Sequence, residues 1–233
     1  MAENIKPESL VLLGRYIRLE PLDLRHVDGL VGAAAGDRPL YRWSPVPQGK
    51  IEATQYVETA RAWREAGSAV PFAIVNIDAN LKLKSDPKSK STDNGVSVIG
   101  STRFFNLEFW AWPQGHARHG RAVSGLAVPD ACEIGYTWLT RSAIRTPANT
   151  EAKLMMLTHA FESWGMVRVC LHTDARNERS RAAMERIGCK FEGTLRSHRM
   201  ASDFIPRDSA RYSITAAEWP EAKQRLMEMA TAR

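Results

Sequence analysis

Short apolar runs alternate along the chain with segments in which apolar residues recur every three or four positions. The runs predict strands at 12–19, 72–77, 96–105, 132–139, 167–173, 190–195 and 210–214. The helical spacing predicts helices at 22–35, 52–66, 150–164, 179–187 and 218–229, three of which precede Gly67, Gly165 and Gly188 directly. This order of elements indicates an α/β domain in which helices flank a mixed sheet.

Two segments interrupt the alternation. Residues 78–95 consist mainly of Lys, Ser and Asp, have little to bury, and predict a long hairpin loop. Residues 106–130 predict an irregular loop; its His116 and His119 have no carboxylate or cysteine at a matching spacing, so no metal site is expected. We expect both segments to be loops of a single domain spanning residues 1–233.

The composition excludes several classes of protein. The 233 residues contain no apolar run of transmembrane length, and the N-terminus lacks the pattern of a secretory signal. The cysteines at 132, 170 and 189 are scattered, which favours core positions and a cytoplasmic location over disulfides or zinc. The net charge of +6 comes from Lys and Arg spread along the chain, which indicates nucleic-acid binding only weakly and is equally compatible with an anionic small molecule.

A candidate anion site follows the strand at 132–139. Arg141 and Arg145 lie in the loop that leads to the helix opened by Asn149 and Thr150. The N-terminus of a helix offers unpaired N–H groups and a positive dipole end, so this loop could hold a diphosphate. An ordinary capped helix with solvated arginines explains the same residues.

The order of strand, basic loop, helix, strand, Asn-x-x-Ser and short helix resembles the GNAT superfamily of acyl-CoA-dependent N-acetyltransferases, and in particular its ribosomal-protein N-terminal acetyltransferase branch. The resemblance is carried by Ile99-Gly-Ser-Thr-Arg103, Glu133-Ile-Gly-Tyr-Thr-Trp138, Asn149-Thr-Glu-Ala-Lys153, Thr173-Asp-Ala-Arg-Asn177, Ser180-Arg-Ala-Ala183 and Glu192-Gly-Thr-Leu-Arg196. It implies a single GNAT-like domain with a mixed, mostly antiparallel sheet that splays between two parallel strands, 134–139 and 167–173.

The resemblance also implies acetyl-CoA as co-substrate, bound in the splay without a metal. The backbone of the first strand would pair with the pantetheine arm, and the basic loop would bind the pyrophosphate. Asn177 would hydrogen-bond the pantetheine arm. The cofactor residues implied by the resemblance are Tyr136, Thr137, Trp138, Leu139, Arg145, Thr146, Ala148, Asn149, Thr150 and Asn177.

The sequence departs from the family pattern in the loop and in the acid. Arg145 and Pro147 stand where the family's loop carries glycines, and proline has no N–H to give a phosphate. Met184 stands where many relatives carry the tyrosine that reprotonates the thiolate. The resemblance offers Ser180 as the substitute acid, with helix N-capping as its alternative role.

The general base is open at this stage. Glu133 and His172 fall on the two splayed strands, and imidazole ordinarily titrates near neutral pH. Packing of His172 in the strand and deprotonation through water are alternatives. Arg199 occupies the place of a further glutamate of the ribosomal branch, so that role does not carry over. A backbone N–H near Trp138 would stabilise the oxyanion.

The predicted activity is transfer of an acetyl group to a primary amine, either a protein N-terminus or a small amine. A module that binds CoA without turnover and a nucleic-acid-binding protein are the alternatives, and no membrane partner is expected. Many relatives dimerise, so the resemblance adds a homodimer to the expectations. Candidate residues of the acceptor pocket are Trp43, Trp110, Trp112 and His198.

Overall fold

The computed structural model describes residues 10–35, 38–78, 81, 97–123, 126–201 and 204–231. All of the predicted loop at 78–95 except Asp78 and Leu81 lies outside the described residues. The predicted loop at 106–130 begins inside a strand and contains a short hairpin of two strands, β5 (Ala122–Val123) and β6 (Leu126–Ala127).

The centre of the fold is an eight-stranded sheet in the order β1-β2-β3-β4-β7-β8-β10-β9. Every neighbouring pair is antiparallel except β7 and β8, which are parallel. The predicted mixed, mostly antiparallel sheet is therefore confirmed. Its strands are β1 (Leu12–Leu13), β2 (Ile17–Pro21), β3 (Ala69–Asn76), β4 (Ser97–Glu108), β7 (Ala131–Leu139), β8 (Arg168–Asp174), β9 (Lys190–Met200) and β10 (Pro206–Thr215).

Helices cover both faces of the sheet. Alternate residues of β3 show this, because Phe72 and Ile74 belong to one buried cluster while Ala73 and Val75 belong to the other. The helices are α1 (Val27–Ala34) and α2 (Gly49–Glu65) on the second cluster, α3 (Ala148–Thr158) and α5 (Trp219–Thr231) on the first, and α4 (Glu178–Arg186) after β8. Short 3-10 helices lie at Leu24–His26, Arg38–Tyr41 and Arg141–Ala143.

Several predicted boundaries were wrong. The predicted strand at 12–19 is two strands, since the chain turns at Gly14, whose N–H donates to the carbonyl of Ile17 at 2.9 Å. The helix predicted at 150–164 becomes a π-helical turn at His159–Ser163. The last two strands are longer than predicted because they pair with each other along a hairpin that sequence periodicity does not reveal.

The glycines that end the helices and the core positions of the cysteines were predicted correctly. Gly67, Gly165 and Gly188 follow helical segments with φ of 68°, 55° and 95°, the left-handed region that glycine adopts readily. The three cysteines are free and buried, as predicted for core residues.

Candidate active site

The site begins where β7 and β8 separate. Their pairing runs from Ala131 opposite Arg168 to Glu133 opposite Cys170. Beyond this point β7 stays with β4, where Leu139 lies opposite Gly100, while β8 follows β10. The splay therefore leaves the β8-facing backbone edge of residues 134–139 without a strand partner from β8, as the predicted pantetheine-binding edge requires.

A β-bulge interrupts β7 within this edge. The register between β4 and β7 shifts between Ser101 and Arg103, and Tyr136 adopts a φ of 51°. A bulge re-aims side chains locally. The ring of Tyr136 packs edge-on against Phe105 and Trp63, with centroid distances of 5.2 and 5.6 Å. The ring of Tyr136 consequently lies on the α2 face of the sheet, while its backbone belongs to the predicted cofactor edge.

The loop before α3 contains a left-handed backbone conformation at Arg145, which is unfavourable for a residue other than glycine. Arg145 has a φ of 62°, the conformation for which a glycine is the usual choice. Pro147 caps α3 without an N–H, and Thr146 Oγ1 accepts the next amide, that of Ala148, at 3.3 Å. The amides of Asn149 and Thr150 lie in the first turn, where no intrahelical carbonyl is available. The loop thus fits an anionic group through two amides and a basic side chain.

A buried lysine lies beneath this edge. Lys153 Nζ donates to Thr137 Oγ1 at 2.8 Å, and Thr137 Oγ1 lies 2.7 Å from Thr102 Oγ1. Burial lowers the pKa of Lys153 to about 8. The predicted cofactor residue Thr137 is therefore held by side chains of α3 and β4, which fixes the inner face of the splay.

Glu133 forms the centre of a polar cluster at the base of the splay. Its buried carboxylate accepts hydrogen bonds from Asn106 Nδ2 at 3.0 Å and Arg199 Nη2 at 2.9 Å. His172 Nδ1 lies 2.9 Å from Glu133 Oε1, although neither ring nitrogen makes a hydrogen bond to a described residue. The two predicted candidates for the general base are thus in direct contact, and Arg199 holds one of them.

Basic groups of the last hairpin surround this cluster. The ring of His198 lies 5.1 Å from that of His172, and Arg207 is paired with Arg199 across β9 and β10. Burial lowers the pKa of His198, and the neighbouring Arg199 and His172 act in the same direction. His198 is therefore held toward its neutral form next to the Glu133–His172 pair.

The start of α4 places the two remaining predicted residues. Asn177 is the N-cap, and its Oδ1 accepts the amide of Ser180 at 3.2 Å. The capping role considered for Ser180 is therefore wrong, because Asn177 performs it. The Ser180 side chain is partly exposed, and its assignment as the acid stays a prediction.

The four residues predicted to line the acceptor pocket are dispersed. Trp43 stacks with the guanidinium of Arg176 at 4.5 Å, next to Asn177, and His198 lies in the Glu133 cluster. Trp110 and Trp112 are both bound to Asp130 at the opposite end of β7 from the bulge.

A pocket that the sequence did not reveal lies on the α2 face of the sheet. It has a volume of about 290 Å³ and is lined by Tyr56, Trp63, Arg103 and Tyr136 together with the segment Pro45–Pro47. None of Trp43, Trp110, Trp112 and His198 lines it. The one signal in the sequence was a charged residue, Arg103, within the otherwise uncharged run 96–105.

Residues 17–190 match the family model described as "Acetyltransferase (GNAT) domain". The chain belongs to this family. The resemblance stated from the sequence is therefore confirmed, and the protein is a member of the GNAT acetyltransferases.

Known proteins extend this result. A GCN5-related N-acetyltransferase from Brucella melitensis has a TM-score of 0.73 and 24% identity, covering 97% of this chain and 87% of its own. RimJ of Mycobacterium smegmatis, solved in complex with CoA-disulfide, has a TM-score of 0.63 and 21% identity, covering 91% and 88%. Both likenesses show the fold.

A curated relative agrees with the predicted branch. YdaF of Bacillus subtilis strain 168, which bears the name "Putative ribosomal N-acetyltransferase", is 34% identical over 91 residues, or 39% of this chain. The match spans 49% of the length of that relative.

The described ranges lack two further features. No helix there is long and apolar enough to cross a membrane. No group of three or more His, Cys, Asp or Glu side chains there could hold a metal ion.

Proposed function

We propose that this GNAT protein transfers the acetyl group of acetyl-CoA to the nitrogen of a primary amine. The observation that carries the proposal is the splay, which combines a free strand edge, an anion-binding helix N-terminus and a carboxylate–imidazole pair. Acetyl-CoA supplies an acetyl group activated as a thioester. The fold of RimJ, solved with a CoA derivative, supports the same assignment.

The geometry of the loop and strand supports the following contacts with the cofactor. The edge of Tyr136–Leu139 pairs with the pantetheine arm, and Arg145, Thr146 and the first turn of α3 hold the pyrophosphate. The residues of that turn that we propose to contact the pyrophosphate are Ala148, Asn149 and Thr150. Asn177 contacts the pantetheine arm through its amide NH₂, because its oxygen already caps α4.

Glu133 and His172 handle the proton of the incoming amine. The ammonium loses a proton to this pair, and the amine nitrogen then bonds to the acetyl carbon while the carbon–sulfur bond breaks. The sulfur leaves with the electron pair of that bond and takes a proton from Ser180. The nitrogen then loses its second proton, which returns through water to the Ser180 oxygen, so that one proton in total leaves the ammonium for the Glu133–His172 pair. A backbone N–H near Trp138 donates to the developing oxyanion.

The acceptor is a primary amine, either a protein N-terminus or a small amine. The name of the curated relative favours the first. Trp43, Trp110, Trp112 and His198 stay predictions as pocket residues, as do the homodimer and the cytoplasmic location.

Binding of CoA without turnover is the second candidate. Met184 in place of a tyrosine and Pro147 in the loop favour it, because each removes a group that relatives use. The nucleic-acid alternative rests on net charge alone.

Calorimetry with acetyl-CoA tests the proposal, using the native chain, Asn177→Ala and Arg145→Ala. We expect micromolar binding that weakens about tenfold in each variant, as loss of one charged or polar contact implies. Release of free CoA thiol in the presence of an amine panel then separates the enzyme from the binding module. Absence of acetyl-CoA binding by the native chain would contradict both candidates.

A further inference from the structure

Arg103 is a buried cation that has no anionic partner among the described residues. Its side chain, on β4, is only 1% exposed, and no described residue forms a hydrogen bond with its buried Nε and Nη2 atoms. The described part of the chain places no carboxylate within 4.0 Å of its guanidinium. Buried charges in proteins are normally paired, so this one calls for an explanation.

Aromatic rings hold the guanidinium in place. Its central carbon lies 4.2 Å from the ring centroid of Tyr136, 4.9 Å from that of Tyr56 and 5.1 Å from that of Trp63. Cation–π contacts of this kind stabilise a cation in part but offer no hydrogen-bond acceptor for its N–H groups. The cage therefore keeps the guanidinium fixed while the described residues leave the N–H groups of Nε and Nη2 without acceptors.

Arg103 is also one of the residues that line the pocket of about 290 Å³ described above. Glu52, which also lines the pocket, is exposed, and its carboxylate accepts the amide of Gln48 at 2.8 Å. The rest of the wall is mostly apolar or aromatic. Such a wall favours a monoanionic carboxylate over a dianionic phosphate, because a single charge costs less to remove from water than a double charge.

Arg103, which lines the pocket, lies on the same face of the sheet as Glu133. Glu133 lies opposite Phe105 and Gly135 lies opposite Arg103, so the two charged residues are two positions apart along the paired strands. Two residues of a strand span about 7 Å. A small molecule can therefore place its amine near Glu133 and another group near Arg103.

We propose that Arg103 is the specificity-determining residue of the acceptor site and binds a carboxylate carried by the acceptor amine. The acceptor class is thus an amino carboxylate with an apolar portion that fits between the rings of Tyr56 and Trp63. This inference rests on the proposed function for its role in catalysis. A free amino acid and a peptide with an acidic first residue share this chemistry.

Calorimetry with phenylacetate and its neutral amide, phenylacetamide, tests the pocket without turnover. We expect phenylacetate to bind the native chain at least about tenfold more tightly than the amide, and Arg103→Met to remove the difference. Arg103→Lys keeps the positive charge but loses the forked guanidinium, so it should retain part of the difference in affinity between the two compounds. The matched control Arg225→Met, on α5, should bind as the native chain does. Equal binding of the two compounds by the native chain would overturn the inference, whether or not the variants fold.

Turnover separates the two sources of the carboxylate. Phenylalanine is compared with phenylalaninamide, and Asp-Ala-Ala with Asn-Ala-Ala, by kcat/KM. A preference of about tenfold or more for the acid in one pair identifies the source; no preference in either pair overturns the inference. Binding of acetyl-CoA is measured in parallel. Acetyl-CoA binding without a carboxylate preference removes only this inference, whereas carboxylate binding without acetyl-CoA binding removes the proposed function and the acceptor role with it.

Discussion

Glu151 and Arg103 are buried charged residues that differ in the hydrogen-bond partners that the fold provides for them. The carboxylate of Glu151, 7% exposed, accepts the amides of Arg15, Tyr16 and Ile17 at 2.6, 2.9 and 2.9 Å. Arg103 is more buried, but it is surrounded by aromatic rings, and the described part of the chain offers no acceptor to two of its nitrogens. The hydrogen-bond partners of Glu151 come from the chain itself, whereas Arg103 obtains an acceptor for these nitrogens only from a ligand that enters the pocket.

The difference separates structural charges from functional ones. A charge whose hydrogen bonds are all made within the fold stabilises that fold, and removing it leaves the partners unpaired. A buried charge whose hydrogen-bond donors lack acceptors lowers the stability of the fold until a ligand pairs with it. Such a charge therefore points to a binding function. Stability and activity should therefore respond in opposite ways at the two positions.

Glu151→Ala should show the largest effect. The substitution leaves three amides of the β1–β2 turn without acceptors, and we expect a loss of about 4 kcal/mol in the free energy of unfolding. Urea unfolding measures it. Glu221→Ala, at a side chain 81% exposed on α5, is the control and should change stability little. A loss below about 1 kcal/mol for Glu151→Ala would remove the basis of the comparison.

His159 sharpens the comparison, since it is a half-buried group whose neutral form is favoured. Partial burial lowers the pKa of His159 from 6.5 to about 4, and its buried Nε2 has no hydrogen-bond partner among the described residues. Between these two values the unfolded chain binds the proton and the folded chain does not, so stability falls as the pH falls from 6.5 toward 4. The contribution is about 3 kcal/mol.

His159→Phe should remove that part of the acid sensitivity. The ring of Phe can keep the contacts with Phe104 and Trp164, whose centroids lie 6.4 and 4.5 Å from that of His159. Unfolding measured at pH 7, 5.5 and 4 compares the variant with the native chain. An unchanged difference in stability between pH 7 and pH 4 would show that His159 is not kept neutral.

Glu133 tests a charge that is paired and yet lies at the reaction site. Glu133→Gln should lower kcat/KM for acetyl transfer about 100-fold, because it removes the carboxylate next to His172, while the Kd for acetyl-CoA stays within about twofold. Steady-state kinetics and calorimetry give the two values. Equal losses in turnover and in acetyl-CoA affinity would mean that Glu133 shapes the splay rather than handles the proton.

Arg145 tests strain in the backbone separately from charge. Arg145→Gly suits the left-handed φ of 62° and should raise the free energy of unfolding by about 1 kcal/mol, whereas Arg145→Ala should not. Both variants lose the basic group and should bind acetyl-CoA more weakly. Identical stabilities of the two variants would contradict the strained conformation.

The sheet was predicted from apolar runs, and its splay was implied by the family resemblance. Glu133 and His172 were predicted as separate candidates for the base, whereas their contact at 2.9 Å was not predicted. The clamp of Glu151 on Arg15 joins residues 136 positions apart, and local patterns carry no information about such a pair. The cage around Arg103 likewise brings α2, β4 and β7 together. The left-handed backbone of Arg145 was not predicted, because glycine is the residue that usually indicates that conformation.

The unfolding free energies of Arg103→Met and Glu151→Ala, measured by urea in one buffer, test the central distinction most directly. Loss of the Arg103 guanidinium forfeits cation–π contacts but also relieves an unpaired buried charge, so we expect a change within about 1 kcal/mol. Glu151→Ala should lose about four times as much. If Arg103→Met instead loses as much stability as Glu151→Ala, the buried arginine is a structural element and the pocket has no claim to a carboxylate.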